Sequence, residues 1–285
     1  MLSVVRQLFS RPSSIFGLIL IFLMLIAAIF APWLMPHDPF EQSFDGLTLM
    51  GEPLPPSEEF PLGTDLLGRD LASRLILGAR TSLVIGVLAN GIAVVMGAFV
   101  GILSGYFGGW LGMILMRFTD LMMAFPALLL AIVLAAIFKP SLLIVALVIA
   151  MVNWVQMARV IYTEARSLAE QEFIQVQKAI GSGPSRILFR HFLPHLLSSI
   201  IVFGTLGIST TVLLEATLSF LGVGVQPPTP SWGNIIFENQ TYFNTAPWLV
   251  FFPGSAILLL ALAFNLVGDA LRDILDQLSR VITNA

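Results

Sequence analysis

The chain has 285 residues, of which 57% are hydrophobic and only 11% are charged, and its formal net charge is −3. Soluble domains contain about 45–50% apolar and roughly 25% charged residues, so this composition excludes a water-soluble globule and indicates a membrane protein. The absence of cysteine excludes disulfides, thiolate metal sites and a cysteine nucleophile. The small negative charge provides no basic surface for nucleic acid.

Stretches without charge indicate how the chain crosses the bilayer, because a spanning helix needs about 20 apolar residues. They predict an all-α, polytopic bundle of six transmembrane helices. In chain order, the predicted spans are 12–37, 81–116, about 110–138, 142–160, 196–221 and 248–271. The second helix is expected to end near Gly105, and Lys139-Pro140-Ser141 predicts a tight hairpin between the third and fourth spans.

The predicted spans divide the chain at residue 80. Residues 1–80 comprise the first helix and an acidic extracytoplasmic loop, and residues 81–285 form a five-helix core with a cytoplasmic loop, 159–195. No small-residue cleavage site follows the first span, so we expect a retained helix rather than a secretory signal. Placing both termini in the cytoplasm puts ten of the 14 Lys and Arg residues inside and four outside, as the positive-inside rule favours.

The two large loops differ in pattern. The outer loop, from Pro36 to about Leu75, contains eight acids and several prolines, which favours a solvated segment over a partner-binding surface. The inner loop alternates apolar and charged residues at helical spacing, breaks at 181–184, and restarts with Pro184 at a first-turn position. This pattern predicts a helix, a turn and a second helix at the inner membrane face, available to a soluble partner.

Small residues recur at every fourth position of the second span: Ala89, Ala93, Gly97, Gly101 and Gly105. On a helix they form one flat ridge that lets a neighbouring backbone approach closely. We therefore expect tight helix packing here, with a conduction path along the ridge as the less favoured alternative.

Two acids, Asp120 and Glu215, intrude furthest into predicted spans, where ionisable groups are costly. Asp120 follows Arg117 by three residues, a spacing that predicts an ion pair, with a proton relay as the alternative. Glu215 has no neighbouring base in the sequence. It is interpreted as facing an aqueous cavity or as bonding to a neighbouring helix or a partner subunit.

Metal and nucleotide sites are not predicted. His191 and His195 share a helical face at the spacing of zinc ligands, but Pro194 interrupts the turn and no third ligand stands nearby. Neither lysine follows the glycine of a GxxxxGK[ST] phosphate loop, so ATP would have to be bound by another chain.

Several motifs then stand in register along the chain. They are Pro61-Leu62-Gly63-Thr64-Asp65 with Gly68-Arg69-Asp70 and the residues that follow to Leu83; Met116-Arg117-Phe118-Thr119-Asp120 with Phe125-Pro126; and the segment from Glu215-Ala216-Thr217-Leu218-Ser219 to Ser231-Trp232-Gly233. Together they resemble the signature of the second permease subunit of dipeptide, oligopeptide and nickel ABC importers. The similarity runs from about residue 12 to residue 276.

The inner loop carries a fourth similarity. Gly181 is followed by His191-Phe192-Leu193-Pro194 at the spacing of the cytoplasmic EAA loop of binding-protein-dependent permeases, although Gln175-Val176-Gln177 replaces Glu-Ala-Ala. The resemblance implies that the helix around Glu172 to Gly181 transmits ATPase closure to the bundle. The implied ATPase-coupling residues are Glu172, Gln175, Val176, Gln177, Lys178, Ala179, Gly181, Arg190, His191 and Pro194. Residues implied in the translocation path or its gating are Asp120, Glu215, Ser219 and Trp232.

The resemblance also implies a type I ABC importer permease fold in a bacterial inner membrane. The implied partners are a homologous second permease, two ATPase subunits that use ATP and Mg, an extracytoplasmic solute-binding protein and the lipid bilayer. This chain itself would bind no cofactor and catalyse no covalent step. Peptides are the expected substrates, with nickel chelates and glutathione-like molecules left open.

Two other functions fit the sequence less well. A stand-alone, proton-coupled carrier would use Asp120 or Glu215, but an internal repeat of the kind many carriers show is not obvious. An intramembrane enzyme lacks a cysteine, and it lacks a histidine deep within a span to pair with a serine.

Overall fold

The computed structural model describes residues 6–139 and 141–283, with side chains as far as Gln277. Its α-helices run in the order α1 (Pro12–Ile29), α2 (Ala31–Leu34), α3 (Leu71–Phe107), α4 (Gly109–Ala124), α5 (Ala127–Ile137), α6 (Leu142–Ala169), α7 (Glu172–Ala179), α8 (Pro184–Ile187), α9 (Leu193–Phe220), α10 (Trp232–Asn239) and α11 (Trp248–Thr283). Short 3-10 turns lie at Phe44–Gly46 and Gln240–Tyr242, and a π-helical turn at Leu188–Phe192 joins α8 to α9.

Within the described ranges, five helical stretches are long and apolar enough to cross a membrane: α1, α3, α6, α11 and the continuous Pro184–Phe220. The pair α4 and α5, bent by 90°, is apolar and long enough to count as a sixth if the two helices cross as one broken span. The all-helical bundle is thus confirmed. The predicted hairpin at Lys139-Pro140-Ser141 includes Pro140, which lies outside the described residues.

The third span was predicted as a single helix over about 110–138, but the structure divides it into α4 and α5. It breaks at Phe125-Pro126, where Phe125 is extended (φ −86°, ψ 134°) and Pro126 caps α5. Proline disfavours helical geometry in the residue before it and has no N–H to donate, which explains the break.

The second span begins ten residues earlier than its charge-free stretch, at Leu71 rather than residue 81. Asp70 caps α3 because its carboxylate accepts hydrogen bonds from the backbone N–H groups of Ala72 and Ser73. Arg74 and Arg80 therefore lie within this helix. The proposed division at residue 80 remains a prediction, and it would fall inside α3.

The central packing is between α3 and α6, along the predicted ridge of small residues. A Cβ added to Gly97 would lie 2.6 Å from the carbonyl oxygen of Trp154, and one on Gly101 would lie 2.7 Å from that of Ala158. These approaches are possible only without a side chain, which confirms the ridge as a helix-packing surface. The peripheral helix α1 packs against α11, where Gly17 meets the backbone of Ala263.

The inner loop forms the predicted helix, turn and helix. Helix α7 ends at a turn in which Gly181 has a positive φ of 82°, and Pro184 opens α8 as its first residue. The π-helical turn directly precedes α9, which contains Pro194 near its start. A wider turn at this point accommodates a proline, which cannot donate the usual helical hydrogen bond.

Candidate functional site

Helix α7 is tied to the end of α6. Gln175 donates from Nε2 to the carbonyl oxygen of Ala169 at 2.7 Å, and Ile174 between them is fully buried. At the other end of α7, the Ser182 hydroxyl donates to Oε1 of Gln177 at 2.9 Å. Two of the predicted coupling residues thus hold the segment in place, one against the end of α6 and the other against the turn after α7.

The side of α7 that faces away from the bundle is apolar and exposed. Phe173, Val176 and Ile180 are 42%, 56% and 68% exposed, and their spacing places them along one side of the helix. Phe189, in the π-helical turn, is 73% exposed. Exposed apolar patches of this kind are typical of interaction surfaces.

The other predicted coupling residues surround this face. Lys178 lies over the ring of Tyr106, with Nζ 5.2 Å from the centroid. The rings of His191 and His195 both pack near Phe173, at centroid distances of 6.1 and 6.3 Å. The remaining members are exposed, namely Glu172, Ala179, Gly181, Arg190 and Pro194. In the described part of the chain, no group of three or more His, Cys, Asp or Glu could hold a metal ion.

The ion partner predicted for Asp120 was wrong. Asp120 pairs with Arg159 of α6 rather than with Arg117, three residues away on its own helix. Arg117 lines the same open cleft as Asp120 without forming the pair. The close packing of α4 against α6 supplies the partner, and sequence proximity could not show it. The pair bridges α4 to the helix that leads into α7.

Glu215 bonds to a neighbouring helix, which was one of its predicted alternatives. Its side chain is fully buried and accepts hydrogen bonds from the hydroxyls of Ser82 in α3 at 2.9 Å and Ser219 at 2.8 Å. The Ser219 hydroxyl also accepts from the N–H of Val225 at 3.1 Å. Nearby, the Trp232 indole donates to the carbonyl oxygen of Leu75 at 3.1 Å. These contacts join α3, α9 and α10 at one point.

A buried charge cluster, which the sequence did not reveal, ties the outer loop to α10. Arg69 contacts Asp65 (2.7 Å) and Glu238 (2.8 Å), and Arg74 contacts the same two carboxylates at 3.3 and 2.7 Å. Asp65 and Arg74 are completely buried. The expectation of a solvated outer loop is therefore wrong for this part, because Arg69 at the end of the loop and Arg74 in the first turn of α3 pair with Asp65 of the loop and Glu238 of α10.

A polar cleft, also missed by the sequence analysis, opens where α3, α6 and α9 meet. It has a volume of about 250 Å³ and a mainly apolar lining, within which the polar residues are Asn90, Asn153, Gln156 and Thr210. The only signal in the sequence was the presence of uncharged amides within otherwise apolar spans.

Comparison with known families then identifies the chain. Residues 97–281 match the model of the binding-protein-dependent transport system inner membrane component. The chain belongs to this family of permeases. Residues 2–56 of the permease also match the N-terminal transmembrane domain of oligopeptide transport permease C.

Similarity to individual proteins supports the same family. The permease is 42% identical over 271 residues to the dipeptide transport system permease protein DppC of Alkalihalophilus pseudofirmus, covering 95% of this chain and 88% of the relative. It is 41% identical over 271 residues to the glutathione transport system permease protein GsiD of Escherichia coli O6:K15:H31, covering 95% and 87%. Its fold is similar to that in the inward-facing MetNI methionine ABC transporter, with a TM-score of 0.57, 17% identity, and coverage of 72% of this chain and 97% of that one.

Family and fold together establish what the chain does. It is a multi-pass permease subunit of an ABC importer in a bacterial inner membrane, and ATP hydrolysis occurs in separate ATPase subunits. The family implies ATPase, substrate-binding and second-permease partners. Nothing in the comparisons supports the alternative of a proton-coupled carrier.

Proposed function

We propose that this permease imports short peptides. The named substrates of its relatives, dipeptides and glutathione, share amide links between amino-acid units. Similarity over 95% of the chain supports the same substrate class here. Nickel chelates, which the sequence resemblance left open, have no counterpart in these two relatives.

The proposed assembly contains this chain and a homologous permease around one path, with an extracytoplasmic binding protein delivering peptide. Two ATPase subunits, using ATP and Mg, dock on the inner loops. The single observation that carries this role is the exposed apolar face of α7, formed by Phe173, Val176 and Ile180. Such a face at the inner end of a spanning bundle needs a protein to cover it.

Coupling then follows from how α7 is attached. ATPase closure would displace α7, and the Gln175 contact with Ala169 would pass that movement to α6. Helix α6 packs along the small-residue face of α3, and the ion pair between Arg159 and Asp120 links it to α4. Helices packed this closely move as bodies, so ATP binding would shift the population between inward-open and outward-open states.

The gating role of Glu215, Ser219 and Trp232 is proposed on their shared position. They join α3, α9 and α10 through buried contacts, so opening this end of the path would require α10 to move relative to Glu215. Asp120 would act at the opposite, α7-bearing end through Arg159. None of the four needs to touch substrate for this role.

A single-cysteine cross-link tests the docking. The chain contains no native cysteine, so Val176→Cys in the assembled importer can be labelled with a short reagent reactive toward thiols and amines. We expect an adduct with an ATPase subunit, whereas Met50→Cys, 90% exposed in the outer loop, should give none. An assembled complex in which Val176→Cys reacts fully with the thiol end but never yields an ATPase adduct would overturn the proposed contact.

A further inference from the structure

The polar cleft has an unusual lining for a spanning region. Asn90 lies near the middle of α3, Asn153 and Gln156 near the middle of α6, and Thr210 in α9. All four can form hydrogen bonds, and none carries a charge. Among the residues that the structure describes, no ionisable side chain lines this cleft, whereas the two cavities nearer the α7-bearing end contain several.

Three of these side chains are held in place by the bundle. Asn90 donates from Nδ2 to the carbonyl oxygen of Gly204 at 2.6 Å, and Asn153 donates from Nδ2 to the Thr211 hydroxyl at 3.1 Å. The Thr210 hydroxyl donates to the carbonyl oxygen of Gly207 at 3.0 Å. The Asn90 oxygen packs against Gly207, whereas Asn153 and Thr210 use only donors, so their side-chain oxygens remain able to accept hydrogen bonds from a molecule in the cleft.

Gln156 is exposed and has no hydrogen-bond partner within the described part of the chain. A side-chain amide without a partner in hydrocarbon costs several kcal/mol, so this face does not lie against lipid tails. It is available to a polar molecule or a partner's polar side chain at the depth of the membrane.

The cleft continues toward the inner end of the bundle. A second cavity, of about 360 Å³, is lined by Glu164, Arg272 and Asp276, and it shares Val160 and Phe203 with the first. On α6 the two cavities follow one helical face from residue 153 to residue 164, a rise of about 16 Å. The second cavity therefore lies toward the end of α6 that leads into α7.

We propose that Asn90, Asn153, Gln156 and Thr210 are this chain's contacts to the transported peptide, and that Val160 and Phe203 form an apolar neck below them. The site would bind the amide groups of the peptide main chain, which every peptide offers regardless of its side chains. An uncharged lining suits this task because it neither attracts nor repels charged peptides. The inference rests on the proposed function as a peptide importer and adds the residues of the substrate site.

A charge introduced in the cleft provides the sharpest test. In proteoliposomes containing the complete importer and a saturating binding protein, uptake of an acidic and a basic dipeptide is compared for wild type and Gln156→Glu. The binding protein is the same in both, so a changed ratio reports on the permease. We expect Gln156→Glu to shift the ratio toward the basic dipeptide by at least about five-fold, because two charges interact strongly at this depth.

A second pair of variants guards against a merely structural effect. Thr210→Val and Thr205→Val each remove one hydroxyl from α9 that donates to its own helix backbone, but only Thr210 lines the cleft. We expect Thr210→Val to raise the KM for dipeptide uptake several-fold and Thr205→Val to leave it unchanged.

The outcomes separate this inference from the proposed function. If the wild-type complex fails to import any peptide, the proposed function is wrong. If it imports peptides and neither the acidic-to-basic ratio of Gln156→Glu nor the KM of Thr210→Val departs from wild type, the substrate site lies elsewhere.

Discussion

The hydroxyl of Ser82 donates to Oε2 of Glu215 at 2.9 Å, joining α3 to α9 between residues 133 positions apart in the sequence. Ser219 supplies the other oxygen with a donor at 2.8 Å. An acid within a spanning helix is therefore satisfied inside the chain. It joins packed helices, and it has no need of a proton pathway.

Replacing Glu215 should show how far the stability of the bundle depends on these hydrogen bonds. Glu215→Ala leaves the buried hydroxyls of Ser82 and Ser219 without their acceptor, which costs about 1–3 kcal/mol. We expect a melting temperature in detergent lowered by about 5 °C. Glu215→Gln retains an accepting oxygen and should lose clearly less. Equal losses for the two variants would show that the carboxylate position does not depend on these hydrogen bonds.

The buried charge cluster that ties the outer loop to α10 should also be sensitive to the loss of one member. Arg74→Ala removes a buried cation from Asp65 and Glu238, and breaking such a buried ion pair costs about 3–5 kcal/mol. We expect the outer loop to become accessible to a protease added to the outside of right-side-out vesicles. Arg80→Ala, at an exposed position further along α3, is the matched control and should leave the loop protected. Protection of the loop in Arg74→Ala would contradict a structural role for the cluster.

Alanine substitutions at two glycines of α3 distinguish the effect of helix packing on stability from the effect of helix propensity. A Cβ on Gly101 would lie 2.8 Å from Cβ of Ile161, so Gly101→Ala should destabilise the bundle by about 1–3 kcal/mol. A Cβ on Gly91 meets nothing within 4 Å, so Gly91→Ala should maintain or raise the melting temperature, because alanine favours helix by about 1 kcal/mol. Equal melting temperatures for the two variants would contradict the close contact of α3 with α6.

The turn after α7 can be tested by a similar pair. Gly181 has φ +82°, and a Cβ there touches nothing within 4 Å, so Gly181→Val acts through backbone strain of about 1–2 kcal/mol. We expect substrate-stimulated ATP hydrolysis in the reconstituted importer to fall to a small fraction of its wild-type value, while the subunits still copurify. Gly183 is extended (φ −63°, ψ 152°) with open space beside it, so Gly183→Val should couple normally. Full coupling in Gly181→Val would remove this turn from the transmission route.

The sequence predicted the helices well because the bilayer imposes their length and excludes charge. It failed where a charge lies inside a helix. The charge-free stretch begins after Arg74 and Arg80, yet both lie in α3. Arg74 is neutralised there by Asp65 and by Glu238, which lies far along the chain. Proline was the available signal for the break in the third span, since Phe125-Pro126 could have been interpreted as the end of α4.

Sequence patterns predicted the parts of the site that are formed by residues close together in the chain, and they missed the contacts between distant helices. The inner helix and turn follow from the spacing around Gly181 and Pro184 and were predicted. The partner of Asp120 was not, because α6 brings Arg159 to it from another helix. Predicting the polar cleft would have required the relative rotation of α3, α6 and α9, which hydrophobic periodicity alone does not determine.

The central claim, that this chain imports peptides only as one subunit of an ATP-driven complex, is tested most directly by uptake into proteoliposomes. A labelled dipeptide and binding protein are supplied outside, with ATP inside. The account predicts uptake that requires both permeases, the ATPases and ATP, and that persists when a protonophore collapses the pH gradient. Dipeptide uptake by the purified single chain, driven by a pH gradient without ATP, would contradict it.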